Sequence, residues 1–151
     1  AALAAAKAEG LPAYGALQNE YNLYDRGAFD AELRALCAAQ DVGMVPYFSL
    51  ASGFLSGKYR SAADAEGRPR GARLGKYFDA RGMKILAALD EVAGAQGAKP
   101  GEVALAWLIA AEGVTAPIAS ATSIAQVESF AKAASMALSN EQLSLLNDAG
   151  A

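Results

Sequence analysis

The sequence predicts an α/β fold with a parallel sheet, and three observations support this. Short apolar segments alternate with longer segments whose apolar residues recur at helical spacing. The short segments are apolar almost throughout, as strands buried on both faces are. The chain has 151 residues, 54% of them hydrophobic, which is enough for one core. Strict alternation of strands and helices requires crossover connections, and these produce parallel strands.

The predicted elements follow from apolar periodicity and from helix start and stop signals. Strands are predicted at residues 16–21, 43–48 and 114–119. Helices are predicted at residues 1–9, 25–40, 80–95, 102–111, 124–134 and 140–149, and loops at residues 50–57 and 60–75. In the helix at 25–40, Phe29, Leu33 and Leu36 are expected on one apolar face, with Cys37 packed in the core beside them.

Two folds fit this order of elements: a doubly wound sheet, or part of a (β/α)8 barrel. Three strands make a poor sheet by themselves, and a complete barrel needs about 250 residues. The first predicted helix has no start signal. We therefore expect the chain to be a piece of something larger.

Composition excludes several classes of function. The net charge is −3 and the pI about 4.9, so neither a nucleic-acid nor a membrane partner is expected. The single cysteine, Cys37, allows no intramolecular disulfide, which fits the reducing cytoplasm. There is no histidine, so the usual general base and the usual zinc ligand are missing and no metal site is expected.

Candidate binding residues follow each predicted strand, because ligands in α/β proteins gather at the carboxyl ends of strands. Gln18 and Asn19 end the first strand, where they either satisfy neighbouring backbone groups or face a ligand.

The segment after the second strand has the composition of a phosphate-binding loop. Tyr47 could stack on a flat ring, Ser52 and Gly53 allow close backbone approach, and Lys58 supplies charge. An ordinary loop with aromatic packing is the alternative.

Residues 120–123, Ser-Ala-Thr-Ser, precede a predicted helix directly. The helix start is either an anion site or an ordinary N-terminus capped by Thr122 or Ser123.

Four collinear segments resemble the aldo-keto reductase superfamily, and within it the bacterial members related to the potassium-channel beta subunits. The segments are LQNEYNLYDR (residues 17–26), VPYFSLASGFLSGKY (45–59), VALAWL (103–108) and APIASATS (116–123). The resemblance implies NADPH-dependent reduction of a small carbonyl substrate on a (β/α)8 barrel. It also implies that residues 1–151 are the C-terminal half, carrying strands six to eight, with the N-terminal half outside this chain.

The same resemblance implies a set of cofactor-binding residues. Gln18 corresponds to the residue that bonds the nicotinamide carboxamide, and Tyr47 to the aromatic on which the nicotinamide stacks. Arg70 corresponds to a basic residue of the loop over the pyrophosphate, and Thr122 and Gln126 to residues near the adenosine end. The other residues matching the pyrophosphate loop are Leu50, Ser52, Gly53, Ser56 and Lys58.

The sequence departs from the family pattern at several positions. Phe48-Ser49 replaces a common Ser-Pro, and Ser129-Phe130 replaces a Glu-Asn pair near the adenine. Thr122 replaces a basic residue at the 2′-phosphate, so NADH remains an alternative cofactor. The catalytic Asp, Tyr, Lys and His of the family match no residue here, so the chain alone is expected to be inactive.

Two other hypotheses remain open. The chain could be a non-catalytic nucleotide-binding module that pairs with a copy of itself or with a separate N-terminal half. It could also be a different phosphate-binding (β/α)8 protein.

Overall fold

A computed structural model describes residues 1–68 and 70–151. The strands are β1 (Ala16–Leu17) and β2 (Gly43–Met44). Turns of 3-10 helix lie at Gly27–Phe29, Ala51–Ser56, Gly71–Arg73 and Gly75–Tyr77. The α-helices are α1 (Ala2–Ala8), α2 (Ala31–Ala39), α3 (Ala62–Ala65), α4 (Ala80–Gln96), α5 (Pro100–Ala110), α6 (Ile124–Ser135) and α7 (Asn140–Ala149).

The long helices form where the sequence predicts them, because their ends are set by local signals. The Asp79 carboxylate accepts a hydrogen bond from Gly82 N (2.7 Å) at the start of α4, and Gly97 ends it with φ of 58°. Pro100 occupies the first turn of α5, and Ser139 caps α7. The predictions at 80–95, 102–111, 124–134 and 140–149 are confirmed to within about two residues at each end.

The predicted helix at residues 25–40 is partly wrong. The Asp30 carboxylate accepts from Leu33 N (2.9 Å), so α2 starts after Asp30, and Phe29 lies in the preceding 3-10 turn. This shift breaks the expected face: Phe29 is buried, but Leu36 is 54% exposed. The core position of Cys37 is confirmed.

The strands pair in parallel, as predicted, but they are shorter than the predicted 16–21 and 43–48: each has two residues, and Glu20 and Tyr47 form only an isolated bridge. Gly43 N donates to Gly15 O, Val45 N to Leu17 O, and Tyr47 N to Asn19 O, at 2.9–3.0 Å. A bridge between Met44 and Val114 places the third segment on the other side of β2. The three segments therefore lie side by side in chain order, with β2 in the middle.

The third predicted strand, residues 114–119, forms only an isolated bridge, and proline is the reason. Thr115 N donates to Met44 O, whereas Ile118 N donates to Pro46 O, so three residues of this segment advance against two of β2. Neither Pro46 nor Pro117 has an N–H to add to the ladder. The segment stays paired but is too irregular to count as a strand.

The predicted loop at residues 60–75 contains helical structure, so the prediction of a plain loop is wrong. Asp64 and Ser61 form a capping box that starts α3, a short helix hidden by the Gly/Arg-rich composition. Two 3-10 turns follow, Leu74 between them is fully buried, and Tyr77 stacks on Phe54 with ring centroids 5.2 Å apart.

The core lies between the strands and the helices α4, α5 and α7. Residues 102–108 of α5 are all buried, and Trp107 stacks on Tyr21 of the first strand segment (5.7 Å). Trp107 Nε1 also donates to Asn147 Oδ1 in α7 (3.0 Å). Within residues 1–68 and 70–151, no helix has the length and apolar character needed to cross a membrane.

Candidate cofactor-binding site

Gln18 and Tyr47 lie on one face of the strand ladder. Glu20 pairs with Tyr47, and side chains two residues apart on a strand share a face, so Gln18 lies on the face that carries Tyr47. Gln18 is exposed, and Tyr47 is 39% exposed with its ring edge-on to Phe48 (5.3 Å). The structure thus presents a carboxamide and an aromatic ring together at the carboxyl ends of neighbouring strands.

The chain after Tyr47 has an unusual run of left-handed backbone. Phe48, Ala51 and Ser52 have φ of 52°, 48° and 57°, although none is a glycine. Gly53 follows with φ of 99°. Each non-glycine residue in this region costs about 1–3 kcal/mol, and such strain gathers at ligand-binding sites. We call residues 47–58 the left-handed loop.

Within the left-handed loop, small residues and one cation lie close together. Ser52 is buried, and Ser56 Oγ donates to Gly53 O (2.6 Å). A Cβ atom at Gly53 would lie 3.5 Å from Lys58 Nζ, and this ammonium lies 4.9 Å from the Tyr59 ring centroid. Leu50, half-buried, accepts hydrogen bonds from the amides of Gly53 and Leu55. Close backbone approach beside a lysine suits a phosphate group.

More basic residues follow the left-handed loop. Arg68 lines an open polar cleft with Lys58, and Arg73 has its guanidinium carbon 6.0 Å from the Phe48 ring centroid. Arg70 is exposed at the start of a 3-10 turn. Among the described residues, no hydrogen bond or ion pair joins the Arg70 side chain to another predicted site residue. The structure thus brings Lys58 and Gly53 together, whereas no such contact joins Arg70 to the other predicted site residues among the described residues.

Thr122 and Gln126 meet at the start of α6. Gln126 Oε1 accepts from Thr122 N (2.6 Å) and from Thr122 Oγ1 (3.2 Å). Ser123 occupies the N-cap position, but its side chain makes no capping bond, and the Thr122 hydroxyl bonds to Gln126, so the side-chain cap expected from Thr122 or Ser123 does not form. Both predicted residues are exposed.

Ser129 lies in α6 and forms a hydrogen bond with a residue of α5. Its hydroxyl donates to the carboxylate of Glu102, a residue only 4% exposed. Lys99 N donates to the same carboxylate (2.9 Å), and Lys132 Nζ lies 3.2 Å away. Burial opposes ionisation of Glu102, but these donors outweigh it and lower its pKa below the usual value.

A charged cluster that the sequence analysis missed lies at the end of the first strand segment. Lys76 Nζ is 2.9 Å from Asp25 and 3.7 Å from Glu20, and the Tyr77 hydroxyl donates to Asp25 (2.9 Å). Burial favours the neutral Asp25, yet the bonds from Lys76, Tyr77 and Asn22 prevail and lower its pKa. Burial and the nearby Asp25 raise the pKa of Glu20. The partners are about fifty residues apart in sequence, so no local signal could have found them.

The aldo/keto reductase family model matches residues 2–151. The chain belongs to the aldo/keto reductase family. Membership confirms the resemblance stated above, and the fold that it implies is a (β/α)8 barrel.

Individual relatives of this aldo/keto reductase chain agree with the family. It is 40% identical over 111 residues to an uncharacterized oxidoreductase of Mycobacterium tuberculosis, covering 70% of this chain and 33% of that protein. It is 32% identical to the uncharacterized oxidoreductase YrpG of Bacillus subtilis, covering 87% of this chain and 39% of YrpG. It is 30% identical to the aldo-keto reductase dtxS3 of Metarhizium robertsii, covering 95% and 38%. The chain thus spans between a third and two fifths of the length of these relatives.

Proposed function

We propose that this aldo/keto reductase chain is the cofactor-holding C-terminal part of a barrel that reduces aldehydes and ketones to alcohols with NADPH. In this proposal its three parallel segments are barrel strands six, seven and eight. The left-handed loop carries the proposal, because it joins an exposed aromatic ring to a lysine at the carboxyl ends of parallel strands. In barrel enzymes that end of the strands is where ligands bind.

The residues proposed to bind the cofactor offer a suitable group to each part of a dinucleotide. Tyr47 offers a ring face for the nicotinamide, and Gln18 on the same face offers its carboxamide to the amide of that ring. The pyrophosphate would be held by the backbone of the left-handed loop, by the ammonium of Lys58 and, further along the chain, by Arg70. The residues of that loop proposed to contribute are Leu50, Ser52, Gly53 and Ser56.

The adenosine end of the cofactor would lie at the start of α6. Thr122 and Gln126 are both exposed there and hydrogen-bonded to each other. Neither carries a positive charge, so binding of a 2′-phosphate would depend on hydrogen bonds and on the helix N-terminus. NADH therefore remains the competing cofactor, and the ratio of the two affinities is the quantity to measure.

The chain's own share of the reaction is binding and orientation. NADPH, when bound, supplies the hydride that a carbonyl carbon accepts. Tyr47 and Gln18 would fix the face and the rotation of the reactive ring, and the left-handed loop would hold the phosphates. The sequence has no histidine, and none of its residues matches the family's proton donor. We assign the proton delivered to the carbonyl oxygen to residues outside this chain.

A partner for the open edges of the sheet is part of the proposal. Among the described residues, β1 and the third segment each have one unpaired side, and exposed apolar side chains lie at Leu36, Ile118, Ile124 and Val127. An N-terminal barrel half would cover the unpaired strand edges and these apolar side chains, in line with the greater length of the relatives. Pairing with a second copy of the chain is the alternative.

The test is titration of the full polypeptide that carries this sequence with NADPH and with NADH, followed by protein fluorescence. Replacing Tyr47 by Ala should raise the Kd for NADPH about tenfold, because the stacking surface is lost. Tyr14→Ala is the matched control, since Tyr14 is 69% exposed and precedes β1; it should leave the Kd unchanged.

Two outcomes would decide against the proposal. Failure of the wild-type protein to bind either nucleotide would contradict it outright. Tight binding without reduction of any aldehyde or ketone would support the non-catalytic nucleotide-binding module instead.

A further inference from the structure

Two buried polar side chains connect the ends of the three parallel segments. Asn22 follows the first segment and is 0% exposed, and Ser49 follows the second and is 2% exposed. Burying a polar group costs free energy unless it is hydrogen-bonded. The hydrogen-bond partners of Asn22 and Ser49 therefore show which segments these side chains connect.

Asn22 joins the first segment to the left-handed loop. Its Oδ1 accepts from the amides of Tyr24 and Asp25, both at 2.9 Å, which shapes the turn after the first segment. Its Nδ2 donates to Phe48 O (3.1 Å), across 26 residues of sequence. That carbonyl belongs to the first left-handed residue of the loop and directly follows Tyr47.

Ser49 joins the loop to the third segment. Its hydroxyl donates to Ile118 O (2.7 Å), across 69 residues of sequence. This bond lies where Pro46 and Pro117 deprive the ladder of amide donors. The hydrogen bond from Ser49 to Ile118 therefore joins the two segments where regular strand pairing is interrupted.

The strain in the left-handed loop makes these two bonds matter. Phe48, Ala51 and Ser52 hold a conformation that costs free energy at every one of them. Such conformations persist only where the surroundings over-determine them. Asn22 holds the loop at Phe48 from the first segment, and Ser49, the next loop residue, bonds the loop to the third segment.

We propose that Asn22 and Ser49 are positioning residues for the nicotinamide cofactor, an inference that rests on the proposed function. Being buried, neither contacts the cofactor. They hold Tyr47 and the left-handed loop in the conformation that binds the cofactor. The loop is therefore already ordered before the cofactor binds. Loss of either bond should weaken cofactor binding more than it weakens the fold.

The experiment compares Ser49→Ala with Ser135→Ala in the full polypeptide. Ser135 Oγ also donates to a backbone carbonyl, that of Lys132 (3.0 Å), but at the far end of α6. Ser49→Ala should raise the Kd for NADPH about tenfold, and the KM for NADPH with it, while the KM for the carbonyl substrate stays constant. Ser135→Ala should change none of these quantities.

A second measurement does not depend on the cofactor. The amides of Gly53 and Leu55 donate to Leu50 O inside the left-handed loop. In the free protein, Ser49→Ala should speed hydrogen exchange of these two amides about tenfold, and Ser135→Ala should not. Asn22→Ala should act in the same direction; if it fails to fold, Ser49→Ala carries the test.

The outcomes separate this inference from the proposed function. If wild-type protein does not bind NADPH, the proposed function is wrong. If wild-type protein binds and Ser49→Ala binds equally well, only the positioning role is overturned. An equal loss of affinity in Ser135→Ala would also overturn it, because the effect would then be general destabilisation.

Discussion

The helical layer and the strand ends of this protein obey different rules. In α4, α5 and α7 the apolar side chains that face the core are buried. α4 and α7 are capped by Asp79 and Ser139, each of which accepts a hydrogen bond from the amide three residues further along. At the strand ends the backbone is left-handed at residues that are not glycine, Tyr47 is partly exposed, and the polar bonds span 26 and 69 residues. The helical layer is stabilised by local hydrogen bonds and apolar burial. The strand ends keep a strained backbone that lowers stability but sets the conformation of the candidate site.

Among the tests of this comparison, a substitution that leaves a cavity in the helical layer should change the free energy of unfolding most. Leu89 in α4 is fully buried, so Leu89→Ala should lower the free energy of unfolding by about 3 kcal/mol. Tyr47→Ala, at the strand ends, should change it by less than about 0.5 kcal/mol. Urea unfolding followed by circular dichroism measures both. Met83→Ala, at a 40% exposed position of α4, is the control; a loss there equal to that of Leu89→Ala would break the comparison.

Two glycines of α4 should respond in opposite directions to the same change. A Cβ atom at Gly82 would overlap the carbonyl oxygen of Tyr77, so Gly82→Ala should destabilise the protein by about 2 kcal/mol. At Gly94 a Cβ atom would meet no described atom outside its own helical turn within 4 Å, and Gly94→Ala should stabilise the protein by about 0.5–1 kcal/mol through helix propensity. Thermal unfolding of the two variants side by side provides the test, and shifts of the same sign would refute the packing argument.

The smallest expected effect concerns pH and the buried carboxylate of Glu102. Its pKa is lowered in the folded protein, so its contribution to stability is present above the unfolded value near 4.5 and is lost as pH falls through the folded value. In Glu102→Gln the unfolding free energy should therefore fall less steeply with decreasing pH below about 4.5 than in the wild type. At pH 7 the substitution should lower the unfolding free energy by about 1 kcal/mol. Ser129→Ala, which removes one donor, should give an intermediate profile. Parallel wild-type and Glu102→Gln profiles would show that Glu102 contributes nothing to acid unfolding.

The parts predicted from sequence differ in kind from the parts that were missed. The bounds of α7 agree with the prediction, because Ser139 and the apolar spacing that follows it are local signals. The start of α2 was misplaced, because Asp30 competes with Asp25 as a helix start and tertiary packing of Phe29 favours the later one. In the candidate site, the left-handed backbone of Ser52 and of its neighbour Ala51 carried no sequence signal, since residues other than glycine rarely adopt it.

The sequence by itself determined the family, the order of helices and parallel segments, and the residues proposed to bind the cofactor. It could do so because periodicity, caps and motifs lie within a few residues of one another. Only the tertiary structure decided the irregular pairing of the third segment, the Asp25–Lys76 cluster and the bonds of Asn22 and Ser49. Each of these depends on distant residues meeting in one register, and no local pattern in the chain encodes that register.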